Sequence, residues 1–253
     1  MNRKDDLRDP VLDVRGISHG FVDDAGKRIG VLHDVSFVVR AGEFFTILGP
    51  SGCGKSTLLR IVGGMIPSEH GTVRHAESVA AHRMAVVFQS FALFPWLNVY
   101  DNVAFGLQMR GVPHAECHTL VQEHIREIGL HGFEAAYPKD LSGGMKQRVG
   151  IARALAMEPD ILLMDEPFSA LDAFTAEKLR KEVLGLWTKD QMTVMMVTHL
   201  VDEAVEVADR ILVMTPRPGK VEAIVSVEFP RPRNKRSPEF FAVVDRITEL
   251  VKV

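Results

Sequence analysis

The stretch Gly49-Pro50-Ser51-Gly52-Cys53-Gly54-Lys55-Ser56-Thr57 decides the fold of this chain. It stands between two apolar segments, 44–48 and 58–62, so it is predicted to connect a buried strand to a helix. Glycines let the backbone curl around an anion, and the helix start adds its positive end. Lys55 is expected to reach the β- and γ-phosphates of a nucleotide, and the Ser56 hydroxyl to hold Mg²⁺. The stretch therefore predicts a phosphate-binding loop.

Composition excludes several classes of protein. The 253 residues are 46% hydrophobic and 25% charged, as in an ordinary globular protein. A net charge of −3 argues against a general nucleic-acid binder. One of the two cysteines, Cys53, lies in the predicted phosphate loop, which indicates a reducing, cytoplasmic compartment. Residues 1–6 do not resemble a signal peptide and no apolar run is long enough to span a membrane, so a membrane role is expected to need a partner.

The chain before the phosphate loop is predicted to form an antiparallel edge of the sheet. Strands are expected at 11–18 and 31–39, joined by a turn at 23–26. Phe21 is placed just after the first of these strands. Its ring either packs in the core or stacks on the adenine base of a nucleotide, and both interpretations remain open.

Polar side chains end three further predicted strands. They are Gln89 after 84–88, Asp165 and Glu166 at the end of 161–166, and His199 after 193–198. Ligands of α/β proteins bind at the carboxyl ends of the strands. There an aspartate can position Mg²⁺ and a neighbouring glutamate can accept a proton from an attacking water.

Between the first and second of these strands the pattern becomes helical, which predicts an inserted helical subdomain at 91–158. It starts with an unusually apolar loop, 91–97. Asp101-Asn102 is predicted to cap a helix that ends at Met109, and Ser142 to cap another over 145–157. At the other end of the chain, the charge run 231–236 is interpreted as a solvated segment, with contact to anionic lipid or a partner as the alternative.

Six elements in fixed order resemble the ATPase subunit of an ABC transporter over roughly residues 11–230. They are the phosphate loop, Gln89, Leu-Ser-Gly-Gly at 141–144, Asp165-Glu166, Ser-Ala-Leu-Asp at 169–172, and His199. The resemblance implies an α/β fold, with a P-loop NTPase (RecA-like) core, an antiparallel β edge subdomain and an inserted α-helical subdomain. It places one ABC ATPase domain at 11–235, with the core at 11–90 and 159–230 and the helical subdomain at 91–158, followed by a C-terminal helix at 236–253.

The resemblance also implies a role for each candidate residue. Asp165, Ser56 and Gln89 would hold Mg²⁺. Three residues would be catalytic: Glu166 would activate water, His199 would hold the γ-phosphate, and Gln89 would also contact the attacking water and sense the membrane partner. ATP would be bound by Phe21 and by the loop residues Gly49, Pro50, Ser51, Gly52, Cys53, Gly54, Lys55, Ser56 and Thr57. Ser142, Gly143 and Gly144 would act in trans, on the ATP of the second subunit of a head-to-tail homodimer. Met145 departs from the glutamine commonest in the family, which puts a side-chain hydrogen bond from that position in doubt.

More narrowly, the segments 94–103, 216–220 and 229–233 look like the nitrate/sulfonate/taurine import group. That group implies a peripheral subunit on the cytoplasmic face of the inner (cell) membrane, serving permease subunits and, indirectly, a substrate-binding protein. The permease contact is expected near Gln89–Leu97, since exposed apolar surface marks an interface; packing of Phe94 and Trp96 inside the helical subdomain is the alternative. Competing functions are an exporter or lipid-handling ATPase and a soluble ABC ATPase acting on nucleic acid, although no nucleic-acid partner is expected.

Overall fold

The computed structural model describes residues 9–22, 24–76 and 83–251. Residues 1–8, Asp23 of the predicted turn, the segment 77–82 of the predicted core and the last two residues of the predicted C-terminal helix lie outside the described residues. The chain divides into two compact units. The first combines Met1–Ala80 with Thr193–Val253, and the second is Ala81–Met192.

A three-stranded antiparallel sheet belongs to the first unit. Its strands, in the order β2-β1-β4, are β1 (Pro10–Val22), β2 (Arg28–Arg40) and β4 (His70–His75). The predicted antiparallel strands are confirmed, but they form a sheet of their own and are longer than expected. Backbone pairing continues to Val22 and Arg28, beyond the apolar alternation, because ladder hydrogen bonds do not depend on apolar side chains. Phe21 therefore lies within β1, not after it.

Four more strands described in the first unit are β3 (Phe44–Leu48), β7 (Thr193–Thr198), β8 (Arg210–Met214) and β9 (Val221–Ser226). They lie in the order β7-β3-β8-β9. The first three are parallel and β9 is antiparallel to β8. Every residue of β3 is buried, as expected for a central strand covered on both faces. The buried strand predicted at 44–48, directly before the phosphate loop, is thus confirmed.

The helices of this unit are α1 (Lys55–Val62), α6 (Val201–Val207) and α7 (Pro238–Val251). Buried Phe240 and Ile247 of α7 join a core cluster with α6, β8 and β9.

The predicted solvated charge run 231–236 is wrong for two of its arginines. Arg231 donates two hydrogen bonds to the carbonyl oxygen of Val207, at 2.7 and 3.2 Å, and pairs with Asp209 at 2.8 Å. The guanidinium of Arg233 donates to the carbonyl oxygens of Val205 and Ala208, each at 2.6 Å. The last carbonyls of a helix lack intrahelical partners, so the two arginines cap the C-terminal end of α6.

The described residues of the second unit form a parallel strand pair and four helices. They are β5 (Met84–Val87), β6 (Ile161–Asp165), α2 (Val99–Met109), α3 (His114–Glu127), α4 (Gly143–Leu155) and α5 (Ala173–Asp190), with a 3-10 turn at Pro138–Asp140. Residues of α2, α3 and α4 share one buried apolar cluster that includes Val103, Val121 and Val149. The segment 91–158 predicted as a helical subdomain lies inside this unit, together with β5, β6 and α5.

The start of α2 differs from the prediction. Asn98, not Asp101-Asn102, is the N-cap, and its side chain accepts a hydrogen bond from the N–H of Asp101 at 2.7 Å. Asn102 is fully buried and instead binds the preceding loop. Its amide donates to the carbonyl oxygens of Phe94, Leu97 and Asn98 and accepts from the N–H of Phe94. A buried amide with so many loop partners holds the 94–98 backbone in one conformation.

Among the described residues, no helix is both long enough and apolar enough to cross a membrane.

Candidate active site

The phosphate loop lies between β3 and α1, as predicted. Gly52 and Gly54 have φ values of +77° and +104°, in the region that side chains rarely adopt. Gly54 is also packed closely by β2: a Cβ at this position would lie 2.7 Å from a methyl group of Leu32 and 2.9 Å from one of Val31. Both the backbone conformation and the packing therefore require glycine at position 54.

Lys55 is the first residue of α1 and is only 4% exposed. Its Nζ donates to the carbonyl oxygens of Gly49 at 2.9 Å and Pro50 at 3.1 Å, so the ammonium group extends back across its own loop. Ser56 and Thr57 follow in the first turn and are half-buried. The loop thus holds one cation and two hydroxyl groups at a helix N-terminus, the arrangement that binds phosphate groups.

A second loop, 215–219, supports the outer side of the phosphate loop. Arg217 donates from Nε to the carbonyl oxygen of Gly52 at 3.1 Å. A Cβ at Gly219 would lie 2.1 Å from the carbonyl oxygen of Cys53, so the two backbones touch. Gly219 is also hydrogen bonded to β2, through Val31 and His33. Sequence reasoning assigned no role to Arg217 or Gly219, although both belong to the segment 216–220 that carried the narrower resemblance.

His199 directly follows β7, as predicted. Leu48 and Thr198 are register partners in the parallel pair β3–β7, so Gly49 and His199 leave the sheet at the same level. Beside the histidine, the hydroxyl of Thr198 donates to buried Glu203 at 2.5 Å and accepts from the N–H of Leu200 at 3.1 Å. The structure therefore brings His199 and the phosphate loop to one edge of the sheet in the first unit.

Gln89 and Glu166 come together in the second unit. Val87 and Met164 are register partners in the pair β5–β6, and the chains beyond them carry the two side chains. The amide Nε2 of Gln89 lies 3.5 Å from Oε2 of Glu166 and 3.2 Å from Oγ of Ser169. Glu166 has a φ of +43°, an unusual backbone conformation that is typical of functional sites. Asp165, the last residue of β6, is 3% exposed.

The segment 142–145 starts helix α4. Ser142 is the N-cap, as predicted, and its Oγ accepts from the N–H of Met145 at 3.3 Å. A Cβ at Gly144 would lie 2.6 Å from a methyl group of Thr175 in α5, so a larger residue would require the Thr175 side chain to shift. The Met145 side chain packs against the apolar cluster of α2, α3 and α4. This contact explains why an apolar residue is accommodated at position 145.

Asp172 is a further feature of the second unit. Its carboxylate accepts from the N–H groups of Phe174 and Thr175, each at 3.1 Å, and so caps α5. Hydrogen bonds from Thr175 and from the backbone of Phe174 lower the pKa of Asp172 below its ordinary value.

Phe21 presents an exposed ring. The side chain is 49% exposed and contacts His19 edge to face, with ring centroids 4.8 Å apart. Half-exposed aromatic surface suits stacking on a flat base better than it suits the core. Adenine stacking at Phe21 stays a prediction.

The donor atoms of the candidate metal ligands fit Mg²⁺. Ser56, Gln89 and Asp165 offer a hydroxyl, an amide and a carboxylate, all hard oxygen donors. Across the described ranges, no cluster of three or more His, Cys, Asp or Glu residues could hold a metal ion by itself. Mg²⁺ is commonly bound by one or two carboxylates together with substrate phosphates, so this donor set suits magnesium carried by a nucleotide.

Comparisons with known proteins agree with this geometry. The family model for ABC transporters matches residues 32–169. An uncharacterized ABC transporter ATP-binding protein of Methanocaldococcus jannaschii is 46% identical over 231 residues, which cover 90% of this chain and 86% of the relative. The taurine import ATP-binding protein TauB of Escherichia coli O157:H7 is 44% identical over 219 residues, 85% of each chain.

Solved structures are similar as well. The structure of an ATP-binding cassette in a dimeric post-hydrolysis state, bound to ADP and Pi, has a TM-score of 0.76 and 31% identity. The match covers 87% of this chain and all of that one. A phosphate loop followed by a helix, with polar groups at the ends of parallel strands, defines a nucleotide-hydrolysing protein of the P-loop class. Within that class, this chain belongs to the ATP-binding proteins of the ABC transporter family and is an ATPase.

Proposed function

We propose that this chain powers a membrane importer for a small oxoanion such as nitrate, a sulfonate or taurine. The relative that supports import is the taurine import ATP-binding protein, at 44% identity over 85% of both chains. The segments 94–103, 216–220 and 229–233 support the same group. The protein would be peripheral, on the cytoplasmic face of the inner membrane, and would be joined there to permease subunits that receive substrate from a binding protein.

The phosphate loop would bind the triphosphate of ATP. Backbone N–H groups of Gly52 and Gly54 would line the phosphates, and Lys55 would exchange its contacts with the Gly49 and Pro50 carbonyl oxygens for contacts with the β- and γ-phosphates. Moving a buried ammonium group from neutral carbonyls to anionic oxygens strengthens its hydrogen bonds. Phe21 would stack on the adenine.

The pairing of Gln89 with Glu166 is the observation that carries the chemistry. Glu166 would accept the proton of the attacking water, Gln89 would orient that water, and His199 would donate to the γ-phosphate. Phosphoryl transfer depends on positioning and on charge neutralisation more than on covalent chemistry. Ser56, Asp165 and Gln89 would hold Mg²⁺, whose chemistry there would be to neutralise charge on the phosphate oxygens.

A head-to-tail homodimer would complete the site. Ser142, Gly143 and Gly144 at the start of α4 would contact the ATP bound to the second subunit, where helix-start N–H groups favour an anion. The similar cassettes were solved as dimers, which supports this assembly.

The permease is proposed to contact the loop 91–97. Trp96 is 71% exposed, whereas Phe94 is half-buried and packs on Phe105 with ring centroids 4.6 Å apart. The two earlier alternatives thus apply to different residues: Phe94 packs inside the unit and Trp96 remains available for a partner. A rigid loop that presents one large aromatic is a typical interface anchor.

Hydrolysis is tested with Glu166→Gln, which keeps the shape of the side chain but removes its basicity. The variant is expected to bind ATP, to form a stable ATP-dependent dimer by size-exclusion chromatography and to lose about 10²-fold or more in kcat. Glu123→Gln, an exposed change on α3, is the matched control and should behave like the wild type. Wild-type turnover by the Glu166 variant would remove that residue from the proposed role.

Import is tested by reconstituting the chain with its permease in vesicles. Addition of taurine-, sulfonate- or nitrate-loaded binding protein on the side opposite the ATPase should stimulate hydrolysis. Stimulation only by a lipid or drug on the ATPase side would instead identify an exporter, and stimulation by DNA or RNA without a permease would identify a soluble nucleic-acid ATPase.

A further inference from the structure

Two consecutive residues just beyond Gln89 adopt a strained backbone conformation. Phe91 and Ala92 have φ values of +63° and +47°. Neither is glycine, and left-handed conformations cost free energy for residues with a Cβ. Such a pair persists only where neighbouring groups hold it.

Arg153 of α4 holds the pair. Its Nη1 donates to the carbonyl oxygen of Ala92 at 2.8 Å, and its Nη2 lies 3.4 Å from that of Phe91. The guanidinium carbon also lies 5.6 Å from the centre of the Phe94 ring, a cation–π contact. Burial lowers the pKa of Arg153, yet an arginine remains charged at neutral pH. A planar donor fork that binds two adjacent carbonyls fixes the direction of both peptide groups.

The same helix receives the Phe91 side chain. A Cβ at Gly143 would lie 3.9 Å from Cζ of Phe91, an ordinary van der Waals contact at the start of α4. A Cβ at buried Gly150 would lie 3.4 Å from the Phe91 carbonyl oxygen, so the strained peptide packs closely on this face of α4. The Phe91 ring therefore lies beside Gly143 at the start of α4, and its carbonyl is held by Arg153.

We propose that Arg153 is a positioning residue that keeps Phe91 and Ala92 in the left-handed conformation. Arg153 thereby holds Gln89 in a fixed position relative to Ser142–Gly144. The proposal rests on the proposed function, because it assigns Arg153 a share in aligning two groups that act on ATP. Without the fork, Phe91 and Ala92 relax to negative φ, the Phe91 ring leaves Gly143, and Gln89 loses its fixed approach to Glu166. The phosphate loop belongs to the other compact unit, so the affinity of one subunit for nucleotide does not depend on Arg153.

The experiment compares Arg153→Gln with a variant designed to rescue it. Asparagine tolerates left-handed conformations better than alanine, and Ala92 is exposed, so Ala92→Asn favours the required backbone without new packing. The set is wild type, Arg153→Gln, Arg153→Lys, Ala92→Asn and the double variant Arg153→Gln/Ala92→Asn. Arg110→Gln is the matched control, since Arg110 also donates to a carbonyl oxygen of the second unit, that of Met157 at 2.9 Å.

Arg153→Gln is expected to lower kcat about tenfold, equivalent to ~1.4 kcal/mol, with the Kd for a fluorescent ATP analogue changed less than about twofold. The double variant should lose no more than about threefold in kcat relative to Ala92→Asn alone. At least about threefold of the tenfold loss is then recovered. Arg153→Lys, which keeps the charge but not the fork, should fall between wild type and Arg153→Gln and guards against a misfolded glutamine variant. Arg110→Gln should match the wild type.

A fluorescence measurement separates this proposal from the proposed function. Trp96 lies 5.6 Å from the Phe94 ring that Arg153 covers, so in a Trp187→Phe background its emission reports the loop without hydrolysis. Arg153→Gln should shift the acrylamide quenching of Trp96, and Ala92→Asn should reverse the shift. If the wild type fails to hydrolyse ATP but these shifts occur, the proposed function fails and the positioning role of Arg153 stands. Unchanged quenching and kcat in Arg153→Gln, or no recovery in the double variant, would overturn the positioning role.

Discussion

The hydroxyl of Ser169 lies 2.9 Å from the carbonyl oxygen of Glu166, and the N–H of Ser169 reaches the same oxygen at 3.2 Å. These two bonds brace the peptide that follows a residue with a φ of +43°. The hydroxyl also receives the amide of Gln89 at 3.2 Å. One serine thus supports both side chains proposed to act on the attacking water.

Ser169→Ala should lower kcat about fivefold without weakening ATP binding, because a neutral hydrogen bond contributes ~1 kcal/mol. Steady-state ATPase assays together with nucleotide titrations check this. Ser237→Ala, which removes the Oγ that accepts from the N–H of Phe240, is the control: it should reduce Tm and leave kcat unchanged. Equal kcat values for Ser169→Ala and wild type would show that the backbone bond alone is sufficient.

Trp96→Ala is expected to leave Tm and basal hydrolysis unchanged, since 71% of the side chain is exposed. Permease-stimulated hydrolysis in reconstituted vesicles should fall by about tenfold or more if Trp96 anchors the interface. Met109→Ala, at the same 71% exposure, provides the comparison. A loss of stimulation in both variants would point away from a specific contact at Trp96.

Arg233→Ala should lower the free energy of unfolding by about 3 kcal/mol, because several buried carbonyl oxygens lose a charged donor. Burial and neighbouring Arg231 lower the pKa of Arg233 to about 9, so the donor is still a cation at neutral pH. Urea denaturation measures the change. Arg236→Ala removes an exposed cation from the same run and should leave the free energy of unfolding almost unchanged. If both substitutions destabilise the protein equally, the loss comes from the charge of the run and not from capping of α6.

Asp172 gives a pH-dependent prediction. Its pKa is lowered in the folded protein, so its capping contribution is complete above the ordinary value of 3.8 and is lost as pH falls through the lower folded value. The difference in Tm between wild type and Asp172→Ala should therefore be constant above that pH and shrink below it. Asp172→Asn keeps an N-cap acceptor that does not titrate, so its difference from Asp172→Ala should stay flat. A difference that grows on acidification would contradict the cap.

The fold was predictable from the sequence where composition and spacing act locally. The strand–loop–helix around Lys55, the N-cap at Ser142 and the strand before His199 all depend on near neighbours in the chain. Side-chain contacts that depend on the folded shape of a loop were not predictable. Asn102 looked like a helix cap because its partners in 94–98 are known only once the loop is folded.

The same limit applies to the candidate site. Gln89 and Glu166 were predicted because each ends a strand. Their shared partner Ser169 was noted only as part of the element at 169–172 and was given no role. Arg231 and Arg233 resembled solvated charges because their acceptors are backbone carbonyls, which carry no side-chain signal in the sequence. Contacts from side chain to distant backbone are the part of the structure that residue spacing does not encode.

The bond between Arg217 and Gly52 joins residues 165 positions apart. When the phosphate loop has just been synthesised, most of the chain is still to be made, including β7 and β8, the two strands that flank β3. A nascent chain cut before Gly219 lacks the backbone against which Cys53 rests, so it carries the nucleotide-binding sequence without its support. Stalled translation products of this protein should consequently be poor competitors for cellular ATP.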